Sequence, residues 1–187
     1  VLVEQTASEY KEVIKACKAL FKKKTIDYGT AWRVLRLPSI TDQIYIKAQR
    51  IRSIQEKGTQ MVQDSIVDEF IGIINYCVIA LIQMELINSD KMELTYDELE
   101  PLYDKVIEEN LQLLSQKNHD YAEAWRDMRV SSITDIILMK LMRVKQIEDN
   151  AGKTLVSEGV KANYQDMINY AVFSLIMLNF VNHAKNN

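Results

Sequence analysis

The sequence predicts an all-α protein, in which two tandem copies of a three-helix module fuse into one pseudo-twofold helical bundle. Three observations lead there. Turn-forming residues are scarce, with five Gly and two Pro in 187 residues, so little of the chain is suited to the many tight turns of a β-sandwich. Apolar residues recur at helical spacing along most of its length. One block of sequence occurs twice.

The repeat sets the organisation. Residues 26–51 align with 119–144 without gaps at an offset of 93, giving 13 identities in 26 positions. Asp27-Tyr28-Gly29-Thr30-Ala31-Trp32-Arg33 returns as Asp120-Tyr121-Ala122-Glu123-Ala124-Trp125-Arg126, and Arg36 returns as Arg129. Ser39-Ile40-Thr41-Asp42 returns as Ser132-Ile133-Thr134-Asp135, and Lys47 and Arg50 return as Lys140 and Arg143. After one inserted residue, Ile74-Asn75-Tyr76 is answered by Ile168-Asn169-Tyr170. The halves are read as 1–88 and 95–187, linked around Ser89-Asp90-Lys91.

Each half reads as three helices. The first carries the stripe Tyr10, Val13, Ile14, Cys17, Leu20 and Phe21, answered by Leu102, Val106, Leu113 and Leu114. The second is expected to start near Ser39 or Ser132, where Ser followed three residues later by Asp resembles a capping box. Its apolar face holds Ile44, Ala48 and Ile51, or Ile137, Leu141 and Val144. The third helices, about 61–88 and 157–184, are apolar around most of their circumference and belong at the centre, packed on each other about the pseudo-twofold axis. Pro101 fits a helix only in its first turn, which places the fourth helix start close to it.

Composition narrows the function classes. A net charge of −3 argues against strong nucleic-acid binding by charge alone. Cys17 and Cys77 sit in apolar helical stretches and are expected free, buried and in a reducing compartment. No leader pattern opens the sequence, so a cytoplasmic location is expected. The run Phe70 to Ile87 is interrupted by Asn75, Gln83 and Glu85, which favours a core helix over a membrane span. A fused pseudo-dimer of this kind can stay monomeric or form a homo-oligomer.

The candidate chemistry lies in polar residues forced against apolar surface. Lys47 and Arg50, with Lys140 and Arg143, fall inside or at the edge of the stripe of the second helix, so an anion must answer them. An ion pair with Asp27 or Asp120 is one reading, and a ligand phosphate is the other. Tyr28, Trp32, Arg33 and Arg36, like Tyr121, Trp125, Arg126 and Arg129, offer aromatic faces and charge suited to a base and its phosphates. Asp166 and Asn169 share a face of the last helix, whereas Gly72 stands where Asp166 would in the first half. His119 precedes Asp120 in one half only. No Ser-His-acid set, Gly-rich phosphate loop or Cys/His cluster with metal spacing occurs.

Taken together, Lys-x-x-Asp-Tyr-x-x-Ala-Trp-Arg, Ser-Ile-x-Asp with a downstream Lys-x-x-Arg, and Asp-x-x-Asn-Tyr on an apolar helix resemble the first type of nucleotide-modification-associated domain, over about 24–84 and 117–178. That family is similar in turn to the all-helical nucleotide pyrophosphatases, whose Glu-x-x-Glu and Glu-x-x-Asp pairs hold magnesium. Here the last helices offer only Glu69-x-x-Gly72 and Asn163-x-x-Asp166, so the resemblance implies at most a composite Mg2+ site of Glu69 and Asp166. It implies a nucleotide-binding protein, in its furthest form a nucleoside triphosphate pyrophosphohydrolase. Asp166 would then be catalytic and would hold the metal with Glu69, with Asp120 near it. Arg126, Arg129, Lys140 and Arg143, with Lys47 and Arg50, would hold phosphates, while Trp125, Tyr121 and Asn169 would contact the nucleotide. The competing expectation is a non-catalytic module that binds a partner protein or senses a nucleotide.

Overall fold

The computed structural model describes the backbone of residues 3–58, 63–121, 123–151 and 159–180, with the side chains of 63, 64 and 118–121 excepted. Six α-helices run α1 Glu4–Tyr28, α2 Leu37–Lys57, α3 Gln63–Glu85, α4 Tyr96–Tyr121, α5 Val130–Asp149 and α6 Val160–Met177. Single 3-10 turns, Ala31–Val34 and Ala124–Asp127, join the first helix of each half to the second. The described residues hold no strand.

Helices α2 and α5 begin two residues earlier than the Ser signal suggested. Their N-caps are Arg36 and Arg129, with no side-chain cap bond. Pro38 supplies the reason in the first half, since its fixed φ suits a first turn and its missing N–H costs nothing there. The start of α4 also differs from expectation. Pro101 lies inside the helix, five residues beyond Tyr96. A capping box forces the earlier start: the Glu98 amide donates to Thr95 Oγ1 at 3.2 Å, and the Thr95 amide donates to Glu98 Oε2 at 2.8 Å. In the first module Gly29 closes α1 with φ +67°, donating to the Thr25 carbonyl at 2.8 Å.

Helices α2, α3, α5 and α6 form the centre, with α3 against α6 and α2 against α5 across the pseudo-twofold axis. The outer helices are shared between halves: α1 packs on α6 as well as α3, and α4 on α3 as well as α6. Helix α3 is long and apolar enough, by length and composition, to cross a membrane, yet 61% of its most apolar stretch is buried inside the fold. Cys17 and Cys77 are buried and free, and burial pushes the Cys17 thiol up to about 12.

The pseudo-symmetry extends to buried hydrogen bonds. Tyr10 of α1 donates to Asn169 Oδ1 of α6 at 2.7 Å, and its equivalent Tyr103 of α4 donates to Asn75 Oδ1 of α3 at 2.8 Å. Each bond crosses from one half to the other. Thr41 donates to Glu148 at 3.3 Å, mirrored by Gln55 donating to Thr134 at 3.1 Å. An unpaired amide oxygen in this core is costly, so Tyr10→Phe and Tyr103→Phe are each expected to lower unfolding free energy by about 1–3 kcal/mol in chemical denaturation. Tyr28→Phe, at a side chain 78% exposed, is expected to change it little. Equal effects from all three would show that the cross-half bonds contribute nothing specific.

Candidate functional site

Three of the cations at the edge of the second helices, Lys47, Arg50 and Lys140, are answered by acids of the third helices, and Asp27 is not their partner. Glu69 sits 3.6 Å from Lys47 and 3.1 Å from Arg50. Asp166 sits 3.0 Å from Lys140 and 3.0 Å from Lys117. By register the two acids are not equivalent: Asp166 answers Gly72, and Glu69 answers Asn163. Each half therefore neutralises the same lysine from a different turn of its central helix.

This choice of turn shapes the first half. With no side chain at Gly72, the Lys47 stem lies in the space, its Cδ and Cε 2.8 Å from where a Cβ would stand. Beside it opens a cleft of about 420 Å³, within the range of small-ligand sites. Trp32, Tyr28 and Tyr76 line it with aromatic surface, Lys24 and Lys47 bring positive charge, and Asp68 stands at its edge. The Lys47 ammonium lies 5.6 Å from the centroid of the Tyr76 ring. Among the described residues Lys24 has no ion-pair partner. Behind the cleft, buried Gln83 fixes the turn that carries Trp32, donating to the Leu35 carbonyl at 2.9 Å and accepting from Arg33. Arg33 also donates to the Ser89 and Lys91 carbonyls at 2.9 and 3.0 Å, clamping the linker between the halves.

In the second half the counterparts of Trp32, Arg33 and Ile79 pack on one another. Phe173 replaces Ile79, and its ring stacks on Trp125 with centroids 4.3 Å apart and planes 8° from parallel. The Arg126 guanidinium also lies over that indole, 4.4 Å from its centroid. Arg126 is held by Glu123 at 2.8 Å and by Glu9 at 2.9 Å. Asn169 spends its amide oxygen on Tyr10. Arg143 reaches Gln146 at 3.5 Å, and Arg129 is exposed at the start of α5. The side chains of His119, Asp120 and Tyr121 lie outside the described residues, though their backbone forms the end of α4.

The sequence-predicted residues thus fall into two groups. Asp166 and Lys140 meet, as do Lys47, Arg50 and Glu69, whereas Trp125 and Arg126 belong to a packed corner. Lys24, Asp68 and Tyr76 as cleft residues were missed by sequence reasoning. The available signals were Lys24 recurring as Lys117 just before the aligned block, and the loss of bulk from Phe173 to Ile79.

A magnesium centre of Glu69 and Asp166 does not suit this arrangement. Each carboxylate is shared by two cations of its own half, and among the described residues no three His, Cys, Asp or Glu side chains converge. A divalent ion needs several oxygens free of such partners.

A family model described as nucleotide modification associated domain 1 matches residues 24–84 and 117–178, one stretch in each half. No curated protein and no solved structure matches the chain.

The two tryptophans should separate in stability. Trp125→Ala removes a buried, stacked ring and is expected to cost about 3–5 kcal/mol in urea denaturation. Trp32→Ala, at a half-buried ring beside the cleft, should cost clearly less. The reverse order would place the core tryptophan in the wrong half.

Proposed function

The chain belongs to the nucleotide modification associated domain 1 family, and from that premise we propose that it binds a nucleotide in the cleft of its first half. The observation that carries the reading is the pairing of aromatic walls with two lysines around one cavity of about 420 Å³. Bases have flat π-faces, and Trp32, Tyr28 and Tyr76 offer surfaces on which one can stack. Phosphates need cations, and Lys24 and Lys47 supply point charges at the same cleft. Asp68 at the edge can accept from a sugar hydroxyl.

The proposal is binding rather than metal-assisted pyrophosphohydrolysis. In-line attack by water at phosphorus uses carboxylates that hold divalent ions against the phosphates. Glu69 and Asp166 instead neutralise lysines and an arginine.

A thermal-shift panel of nucleoside mono-, di- and triphosphates, with and without magnesium, tests the reading. Stabilisation should grow with ligand concentration for at least one member, because a native-state site raises the melting temperature by mass action. Lys24→Gln should weaken that ligand about tenfold, or ~1.4 kcal/mol. Lys117→Gln, at the equivalent position of the other half, should leave its affinity nearly unchanged. A flat response across the panel, or equal losses from both variants, would contradict the proposal.

A further inference from the structure

The two halves place the same pair of lysines around different groups. In the second half, Lys117 and Lys140 both close on the Asp166 carboxylate, each at 3.0 Å. In the first half their equivalents, Lys24 and Lys47, both line the cleft, and the position of Asp166 is taken by Gly72, also on the cleft wall. Glu69, the carboxylate that pairs with Lys47, lies one turn away at 3.6 Å and is shared with Arg50, while Asp68 also lines the cleft. Asn163, the counterpart of Glu69, uses its amide on the Gly159 carbonyl at 2.9 Å and adds no acid. The second half thus closes both lysines on one carboxylate, whereas in the first half Lys24 has no ion-pair partner among the described residues and Gly72 leaves no carboxylate at that turn.

We infer that Asp166 is a built-in anion standing where a ligand phosphate sits in the first half, so that the phosphate subsite of the cleft lies over Gly72 between Lys24 and Lys47. This rests on the nucleotide reading of the cleft and adds the location and the charge of the group it holds. Two lysines suit a phosphate carrying more than one negative charge better than a single carboxylate does, which favours a nucleotide's terminal phosphate over a phosphodiester. The Lys47 chain end, now folded over Gly72, is the part that moves to admit it. The same comparison assigns Phe173 as the residue that covers the second-half tryptophan, where Ile79 leaves room in the first.

Titration calorimetry with inorganic pyrophosphate, a probe with no base, tests the subsite apart from the rest of the cleft. The wild type should bind it once per chain. Gly72→Asp should weaken binding at least tenfold by installing the internal anion, whereas the neutral Gly72→Asn should retain most of it. Because Gly72→Asp also displaces the end of Lys47, its helical content and melting temperature are measured alongside. The converse variant, Asp166→Gly with Phe173→Ile, should gain a second binding event. Pyrophosphate failing to bind the wild type, equal losses from Gly72→Asp and Gly72→Asn, or no second event in the double variant would overturn the inference. Nucleoside triphosphates binding no more tightly than pyrophosphate would leave the subsite standing and remove the base-stacking part of the nucleotide reading instead.

Discussion

The constraint that governs this molecule is that two nearly all-apolar helices, α3 and α6, lie against each other at its centre, so the buried polar groups they carry must be answered inside the fold. A lone buried amide or carboxylate would cost more than most single contacts return. Asn75 and Asn169 are answered by tyrosines reaching across from the opposite half, and Glu69 and Asp166 by cations of their own. The cross-half tyrosines lock the duplicated modules into one body. The cations fix how α2 and α5 sit on the central pair.

Within that frame, small exchanges give the halves different roles. Moving one carboxylate by a turn leaves Gly72 in one copy and Asp166 in the other. Exchanging Ile79 for Phe173 decides whether a tryptophan edges a cleft or is stacked in the core. Neither exchange disturbs the backbone plan, because both sit on the same register of the same helix. In the first half Trp32 lines a cleft, and in the second Trp125 is stacked on Phe173.

Much of the fold was legible in the sequence. Helical periodicity, the scarcity of turn residues and the 93-residue repeat are backbone-level signals, and the core stripes around Tyr10, Ile44 and Ile74 are buried as expected. Helix starts were less legible because short-range capping competes with proline: Thr95 and Glu98 start α4 well ahead of Pro101, and with Pro38 in its first turn α2 starts ahead of Ser39. The site was legible only in part. Sequence spacing showed that Lys47 and Lys140 needed anions, but their carboxylates lie on another helix, and helical geometry alone cannot name a partner across a packing interface. Gly72 and Ile79 line the cleft with less side chain than Asp166 and Phe173 carry in the other half, and a deficit of volume leaves no motif.

Entry of ligand into the first half rather than the second can be read from the two indole N–H resonances in a 15N-correlated spectrum while a nucleoside triphosphate is added. The Trp32 indole is expected to move with saturation while the Trp125 indole, stacked on Phe173, stays in place. A shift of Trp125 with Trp32 unmoved would contradict this.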